Sequence, residues 1–174
     1  MGELIIVAGV SLFEMTCKDW FAWGLKYNSE KIKLFSNKSL TILELLESEN
    51  PIDTAFEKIV DDIKFIDLEE CNKKFKDAFE IEIFSNRQHR YDFQKFIEHR
   101  HIISHNCGIA DSNFIEKTGR NKTDVGTTPF LRKEDLQYFL SLLYEIRERM
   151  VTLMITKITD EIKKRQAKID NPQK

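Results

Sequence analysis

The sequence has few residues that end or reverse secondary structure, with only 6 glycines and 3 prolines among 174 residues. A β-sandwich or barrel needs turn residues about every 8–12 positions, so this composition favours helices. Cysteine is scarce as well, and its 3 copies, Cys17, Cys71 and Cys107, are widely spaced. The odd, scattered count argues against a secreted disulfide scaffold and against a zinc ribbon. We therefore expect a helical protein of the reducing cytoplasm.

Long apolar runs and a strong net charge are also missing. The longest apolar stretch, Leu4–Phe13, is too short to span a bilayer and follows the acidic Glu3, so it predicts neither a membrane helix nor a signal peptide. The 27 basic and 29 acidic residues nearly balance, which gives no support to a broad nucleic-acid clamp. Residues 85–174 nevertheless hold 17 of the basic residues, 12 of the acidic ones and all four histidines. This half permits an anionic ligand, although a solvated helical surface produces the same pattern.

The length predicts one domain over residues 1–174, with a mostly charged segment at 160–174 that projects or frays. Apolar residues recur at three- and four-residue spacing, which predicts an all-α bundle of about five helices. Residues 85–89 are polar and predict a turn, and residues 106–129 predict a long surface loop with at most one helical turn near 113–117. The helical segments are expected at about Glu3–Tyr27, Ser39–Glu47, Thr54–Ile63, Asp67–Phe84, Tyr91–Asn106 and Arg132–Lys168.

The most informative segment is Glu98-His99-Arg100-His101-Ile102-Ile103-Ser104-His105-Asn106. It puts a permanently charged guanidinium and imidazoles that titrate near neutral pH on one helix. At about 100° per residue, Arg100 and His105 lie roughly 140° apart around the axis, whereas His101 and His105 share a face. A ligand that bridges Arg100 and His105 would lie across the helix end, which the loop starting at Cys107-Gly108 could leave open. The alternative is a solvated helical surface whose histidines interact favourably with the C-terminal end of the helix dipole.

A metal site is a second alternative for the same segment. His101 and His105 have the i, i+4 spacing of a zinc-ligand pair, and His99 adds a third imidazole nearby. Ile102 occupies the position at which the HExxH motif has its glutamate. The carboxylates that could complete such a site are those of Glu98 and Asp111. Nothing in the sequence fixes either one there, so we expect no bound metal.

The segment Arg100–Asn106 continues into Gly108-Ile109-x-Asp111 and Lys117-Thr118-Gly119, and the first helix contains Val10-Ser11-Leu12-Phe13-Glu14. These residues resemble the HEPN superfamily of helical nucleotide-binding domains. Its core motif is an Arg, a short spacer and a His, commonly with a polar Asn, Asp or His directly after the Arg. Arg100, His101 and His105 fit those three positions. The residues from Val10 to Glu14 resemble the Ser-aromatic-Glu signature that often opens such domains. The resemblance extends from about Leu4 to Ile158.

The resemblance implies a helical bundle that dimerises, so that two motifs meet at a cleft. In many members this cleft is a metal-independent endoribonuclease of a toxin, antiphage or RNA-processing system. Arg100 and His105 would then be catalytic, and His101 and Asn106 would bind or orient the substrate, without a metal or a cofactor. The implied partners are RNA, a second copy of the chain and an antitoxin or other protein. Cys107-Gly108 follow the motif where toxins paired with a nucleotidyltransferase antitoxin have a Tyr, so that type is disfavoured. The alternative is a non-catalytic HEPN-type module for nucleotide or RNA binding, or for dimerisation.

Overall fold

The described part of the chain is helical. The computed structural model describes residues 2–28, 30–31, 34, 48–61 and 63–170. These residues form no strand, which confirms the predicted all-α class. None of their helices is both long and apolar enough to cross a bilayer. The expected helix at Ser39–Glu47 lies outside the described residues. The described residues form six α-helices: α1 Gly2–Tyr27, α2 Pro51–Asp61, α3 Leu68–Phe79, α4 Arg87–His105, α5 Ser112–Thr118 and α6 Lys133–Asp170.

The chain divides into two compact units. The first unit consists of residues 1–15 and 84–148, and the second consists of residues 16–83 and 149–174. Helices α1 and α6 contribute residues to both units. The expectation of a single domain over residues 1–174 stays a prediction. The charged segment at 160–174 is helical as far as Asp170, and residues 171–174 are outside the described ranges.

An aromatic cluster forms the core of the first unit. Phe93 of α4 contacts Phe13 of α1 and Phe139 of α6, with ring centroids 4.8 and 5.8 Å apart. A fully buried Phe contributes roughly 1.5–3 kcal/mol by leaving water, so these rings supply much of the stability of the unit. Gly9 allows the close approach of α1, because a Cβ there would lie 2.5 Å from a ring carbon of Phe139. The core therefore fixes the position of helix α4.

Helix α4 begins earlier than expected. The side chain of Asn86 accepts hydrogen bonds from the backbone N–H groups of Gln88 and His89, at 2.8 and 3.4 Å. This N-cap satisfies backbone donors that would otherwise have no partner in the first turn. The predicted turn at residues 85–89 is therefore wrong beyond Asn86, because Arg87 is already helical. The far end agrees with the expectation, since α4 ends at His105 with Asn106 as its C-cap.

The segment after α4 contains more structure than the single helical turn expected there. Asp111 caps α5 by accepting a hydrogen bond from the Phe114 N–H at 2.8 Å, and a 3-10 helix follows at Lys122–Asp124. The Ala110 N–H donates to the Thr127 carbonyl at 2.8 Å, so the two ends of the segment are joined by backbone hydrogen bonding. The residues that hold it against α4 are buried and apolar: Ile102, Ala110, Phe114 and Ile115. These contacts give the region beside α4 a defined shape.

The second unit has its own aromatic core. Phe21 of α1 lies against Phe65, Phe75 and Phe79, with ring centroids 5.7, 5.1 and 5.2 Å apart. The core also buries the side chains of Cys17 and Cys71, with their Sγ atoms 3.9 Å apart. Such cysteines behave as small apolar side chains.

Helix α3 begins as expected but ends early. The carboxylate of Asp67 accepts hydrogen bonds from the N–H groups of Glu69 and Glu70, which confirms the predicted N-cap. The predicted end at Phe84 is wrong, because Glu80 adopts a left-handed backbone with a φ of 60° and closes the helix at Phe79. The helix-like spacing of the following apolar residues misled the sequence interpretation, since these residues are buried in a non-helical segment.

Candidate functional site at the end of helix α4

Two histidines form an exposed pair on the last turns of α4. The ring centroids of His101 and His105 are 5.0 Å apart, with 46° between the ring planes, and both side chains are exposed. The i, i+4 spacing accounts for the contact, because such residues lie one above the other on a helix. Both imidazole rings are therefore accessible to solvent.

Arg100 precedes this pair and lies between two faces of the helix. Its side chain is half-buried, and the Nε–H group is buried without a hydrogen-bond acceptor. Within the described ranges no carboxylate forms an ion pair with its guanidinium. Buried donors nearly always have a partner in native proteins, and each exception calls for an explanation such as a missing ligand. Arg100 is thus a positive charge that the described residues of its own chain leave uncompensated.

The chain turns sharply after the histidine pair. The N–H groups of Asn106 and Gly108 both donate to the Ile102 carbonyl at 2.9 Å. Cys107 and Gly108 have φ angles of 52° and 77°, in the left-handed region that favours glycine. The Asn106 side-chain amide donates to the Ile109 carbonyl at 2.6 Å. In this structure Asn106 connects the helix end to the following loop.

The carboxylates considered as metal ligands have structural partners instead. Glu98 is buried and accepts hydrogen bonds from Gln94 at 2.8 Å and from Lys117 of α5 at 3.1 Å. Asp111 caps α5. Among the described residues, no three His, Cys, Asp or Glu side chains are close enough to hold a metal ion together. The structure brings His101 and His105 together but adds no carboxylate to them.

His99 is the residue whose importance the sequence interpretation missed. It is 6% exposed, and its ring meets the Phe114 ring edge-on at a centroid distance of 4.9 Å. Burial lowers the pKa of His99 from 6.5 to about 4; the positive charge of Arg120 adds to this effect and Asp135 opposes it. The imidazole is therefore neutral at pH 7. The sequence signal was its spacing of three residues from Phe96 and Ile102, which puts His99 on the apolar face of α4.

His99 lies in the wall of a pocket of about 580 Å³ within the first unit. The pocket lies between α4, the beginning of α6 and the segments that follow α5. It contains both charged and aromatic side chains, among them Lys95, His99, Arg120, Phe130, Arg132 and Asp135. None of the residues predicted to be catalytic or substrate-binding lines this pocket. The structure therefore has two separate features on α4, the helix end and the pocket.

Comparison with protein-family models, with curated proteins and with solved structures found no match to this chain.

Proposed function

We propose that this protein is a metal-independent endoribonuclease in which Arg100 and His105 act on RNA at a cleft between two copies of the chain. The observation that carries the proposal is the uncompensated guanidinium of Arg100, followed by an exposed pair of imidazoles at the end of the same helix. The resemblance of these residues to the HEPN motif supports the same assignment. A role as a toxin or antiphage component in the cytoplasm, paired with an antitoxin or another protein, belongs to this proposal.

RNA supplies its own nucleophile for such a reaction. The 2′-oxygen attacks the adjacent phosphorus while the bond from phosphorus to the 5′-oxygen breaks, which leaves a 2′,3′-cyclic phosphate and a 5′-hydroxyl. A base must take the proton of the 2′-hydroxyl, and an acid must protonate the departing 5′-oxygen. His105 carries out one proton transfer, and the guanidinium of Arg100 stabilises the extra negative charge on the phosphorane. His101 binds or orients the phosphate beside His105, and Asn106 maintains the shape of the helix end.

A second copy of the chain completes the proposed site. Arg100 and His105 lie roughly 140° apart around α4, so a single helix end does not turn both toward one phosphate. Two copies facing each other would put the Arg100 of one beside the His105 of the other and would supply a base and an acid together. Helix α1 carries a suitable contact surface, because Leu4, Leu12 and Met15 share one face and are 72%, 46% and 55% exposed. Exposed apolar patches of this kind mark protein–protein contacts.

The chemistry is tested with a DNA oligonucleotide that contains one ribonucleotide. We expect cleavage only at the ribonucleotide, with a 2′,3′-cyclic phosphate product and no effect of excess EDTA. His105→Gln is expected to lower the rate by about 10²–10⁴, as is typical for loss of a positioned proton-transfer group. The matched control His89→Gln changes a histidine at the other end of α4 and is expected to keep full activity. Equal cleavage of a 2′-O-methyl substrate would rule out the mechanism, and loss of activity with EDTA would indicate a metal enzyme.

The shared cleft is tested separately by mixing variants. Homodimers of Arg100→Ala and of His105→Ala are each expected to be inactive. In a mixed dimer, the intact Arg100 of one chain faces the intact His105 of the other. Recovery of part of the activity on mixing would show that one Arg100 facing one His105 suffices, whereas no recovery would show that the cleft needs both histidines, as base and acid. Loss of the parent activity on dilution to monomer supports the composite site in either case. Full activity at a concentration at which sedimentation shows a monomer would contradict the composite site.

The second candidate function is a non-catalytic module for nucleotide or RNA binding, or for dimerisation. The observation that favours it is the separation of Arg100 from the exposed histidine pair within one chain. This candidate predicts RNA binding or self-association without cleavage, and the same Arg100→Ala change would then weaken binding. The oligonucleotide assay combined with a binding measurement therefore distinguishes the two functions.

A further inference from the structure

The pocket beside His99 has the size and the boundaries of a small-molecule site. Its volume of about 580 Å³ is within the range of roughly 300–1,000 Å³ that is usual for ligand pockets. Residues of α4 form one wall, the beginning of α6 forms another, and the segments around Arg120 and Phe130 close the remaining sides. All of these residues belong to the first unit.

The inner wall presents an unused polar group. His99 is almost completely buried, and its ring nitrogens have no hydrogen-bond partner among the described residues. A neutral imidazole offers one N–H donor and one nitrogen acceptor. The His99 nitrogens are not among the fully buried atoms that lack a partner, so they are reached from the pocket and can pair with a ligand there. The wall therefore suits the polar edge of a ring that also has a donor and an acceptor.

The charges of the pocket leave one cation available. Arg132 and Asp135 form an ion pair with an Nη2–Oδ1 distance of 3.2 Å, and Lys95 contacts Asp92 at 3.0 Å. Arg120 has no ion pair among the described residues, and its guanidinium lies 5.8 Å from the centre of the Phe114 ring. Since two cations are already neutralised, the remaining positive charge of Arg120 favours a ligand with an anionic group.

The mouth of the pocket carries an aromatic ring in solvent. Phe130 is 79% exposed, more than any other large apolar side chain in the described part of the chain. Tyr138, at 44% exposed, lines the same pocket. Flat rings stack favourably on such side chains, and the stack removes both surfaces from water. The mouth thus suits a flat aromatic ligand.

We propose that the pocket lined by His99, Arg120 and Phe130 binds a small molecule that joins a flat heteroaromatic ring to an anionic group, which is the chemistry of a nucleoside 5′-monophosphate. The ring stacks on Phe130, its polar edge pairs with His99, and the anionic group contacts Arg120. This binding site does not depend on the proposed endoribonuclease activity, because none of its residues belongs to that site.

The test is a calorimetric titration of the full chain with AMP, GMP, CMP and UMP in a buffer without phosphate. At least one monophosphate is expected to bind saturably at millimolar or lower concentration. Its parent nucleoside is expected to bind about tenfold or more weakly, because it lacks the charged hydrogen bond to Arg120. Absence of binding by all four compounds overturns the proposal, as does equal binding of inorganic phosphate, which would show a site for any small anion.

Two variants with matched controls locate the ligand. Arg120→Gln and Phe130→Ala change exposed side chains, and each is expected to weaken binding about tenfold. Lys122→Gln and Tyr144→Ala change an exposed cation and an exposed aromatic ring outside the pocket, and both are expected to bind as the parent protein does. Unchanged binding by the two pocket variants overturns the proposal. Loss of binding in His105→Gln also overturns it, because the ligand would then bind at the helix end.

Discussion

Replacing His99 with glutamine removes an imidazole that the folded protein keeps neutral, and the change is expected to alter how stability depends on pH. The pKa of His99 is about 4 in the folded state, compared with 6.5 for a solvated imidazole, because burial disfavours the charged form. Between these two values the unfolded chain binds a proton that the folded chain does not. The free energy of unfolding therefore falls as pH decreases from 6.5 to 4, and it is unaffected by this group above that window.

The magnitude follows from the same two values. Each unit of pKa difference corresponds to about 1.4 kcal/mol, so His99 accounts for at most about 3 kcal/mol of stability lost across the window. The pocket carboxylates act at lower pH. The hydrogen bond from Arg132 holds the pKa of Asp135 below its ordinary value. Burial raises the pKa of Asp92, but hydrogen bonds, of which that from Lys95 has the largest effect, outweigh burial. The pKa of Asp92 therefore lies below its ordinary value. The lowered pKa values of Glu80, Glu82 and Glu161 also reduce stability below about pH 5, so the upper part of the window, from about pH 5 to 6.5, is the part that reports on the imidazole.

The assay is urea unfolding followed by circular dichroism at several pH values from 4 to 7. Circular dichroism follows the loss of helix α4, which carries His99, whereas Trp20 and Trp23, the only tryptophans in the sequence, belong to the second unit. We expect a shallower decline below pH 6.5 in His99→Gln than in the parent. The control His101→Gln removes an exposed histidine of the same helix and is expected to follow the parent. Parallel curves for the parent and His99→Gln, or an NMR titration of the His99 ring near pH 6.5, would refute the reasoning.

Three further changes test local features of the fold by the same unfolding measurement. Asp67→Ala removes an N-cap that accepts two backbone hydrogen bonds and is expected to cost about 1 kcal/mol, whereas Asp67→Asn keeps the acceptor and costs less. Gly108→Ala introduces a Cβ at a left-handed φ and is expected to cost roughly 1 kcal/mol. Cys107→Gly removes a Cβ from the other left-handed position and is expected to stabilise the protein. If Gly108→Ala proved more stable than the parent and Cys107→Gly less stable, the turn geometry would be contradicted. Lys117→Met leaves the buried carboxylate of Glu98 without its ion pair and is expected to cost about 1–3 kcal/mol, and no loss would show that this ion pair does not stabilise the fold.

The sequence predicted the long helices well because their apolar stripes are regular and their caps are conventional. Helix α4 ends where Asn106 and Gly108 indicate, and helix α3 begins after its Asp67 cap. The end of α3 could not be read in the same way. Glu80 adopts a left-handed backbone without the glycine or asparagine that usually signals such a stop. Contacts between elements decided that boundary, and a local pattern does not contain them.

The contact between the two histidines of the proposed site was predictable because the spacing of residues along a helix decides which of them share a face. The contact between His101 and His105 follows directly from their i, i+4 separation. The burial of His99 also follows from the pattern, because its spacing from Phe96 and Ile102 puts it on the apolar face of α4. The pocket itself was not predictable, since Arg120 and Phe130 come from segments without periodicity. Their positions depend on how the chain returns across α4 after the turn at Cys107-Gly108.

The two sites on α4 separate because successive residues of a helix point about 100° apart. His99 faces the pocket, the next residue, Arg100, is turned by one such step, and the pair formed by His101 and His105 is turned further still. A ligand in the pocket therefore contacts neither member of the histidine pair. Arg100 lies between the two faces, and its backbone is fixed by the same buried neighbours that hold His99. A change at His105 is consequently a local test of the nuclease proposal, and changes at Arg120 and Phe130 are local tests of the pocket.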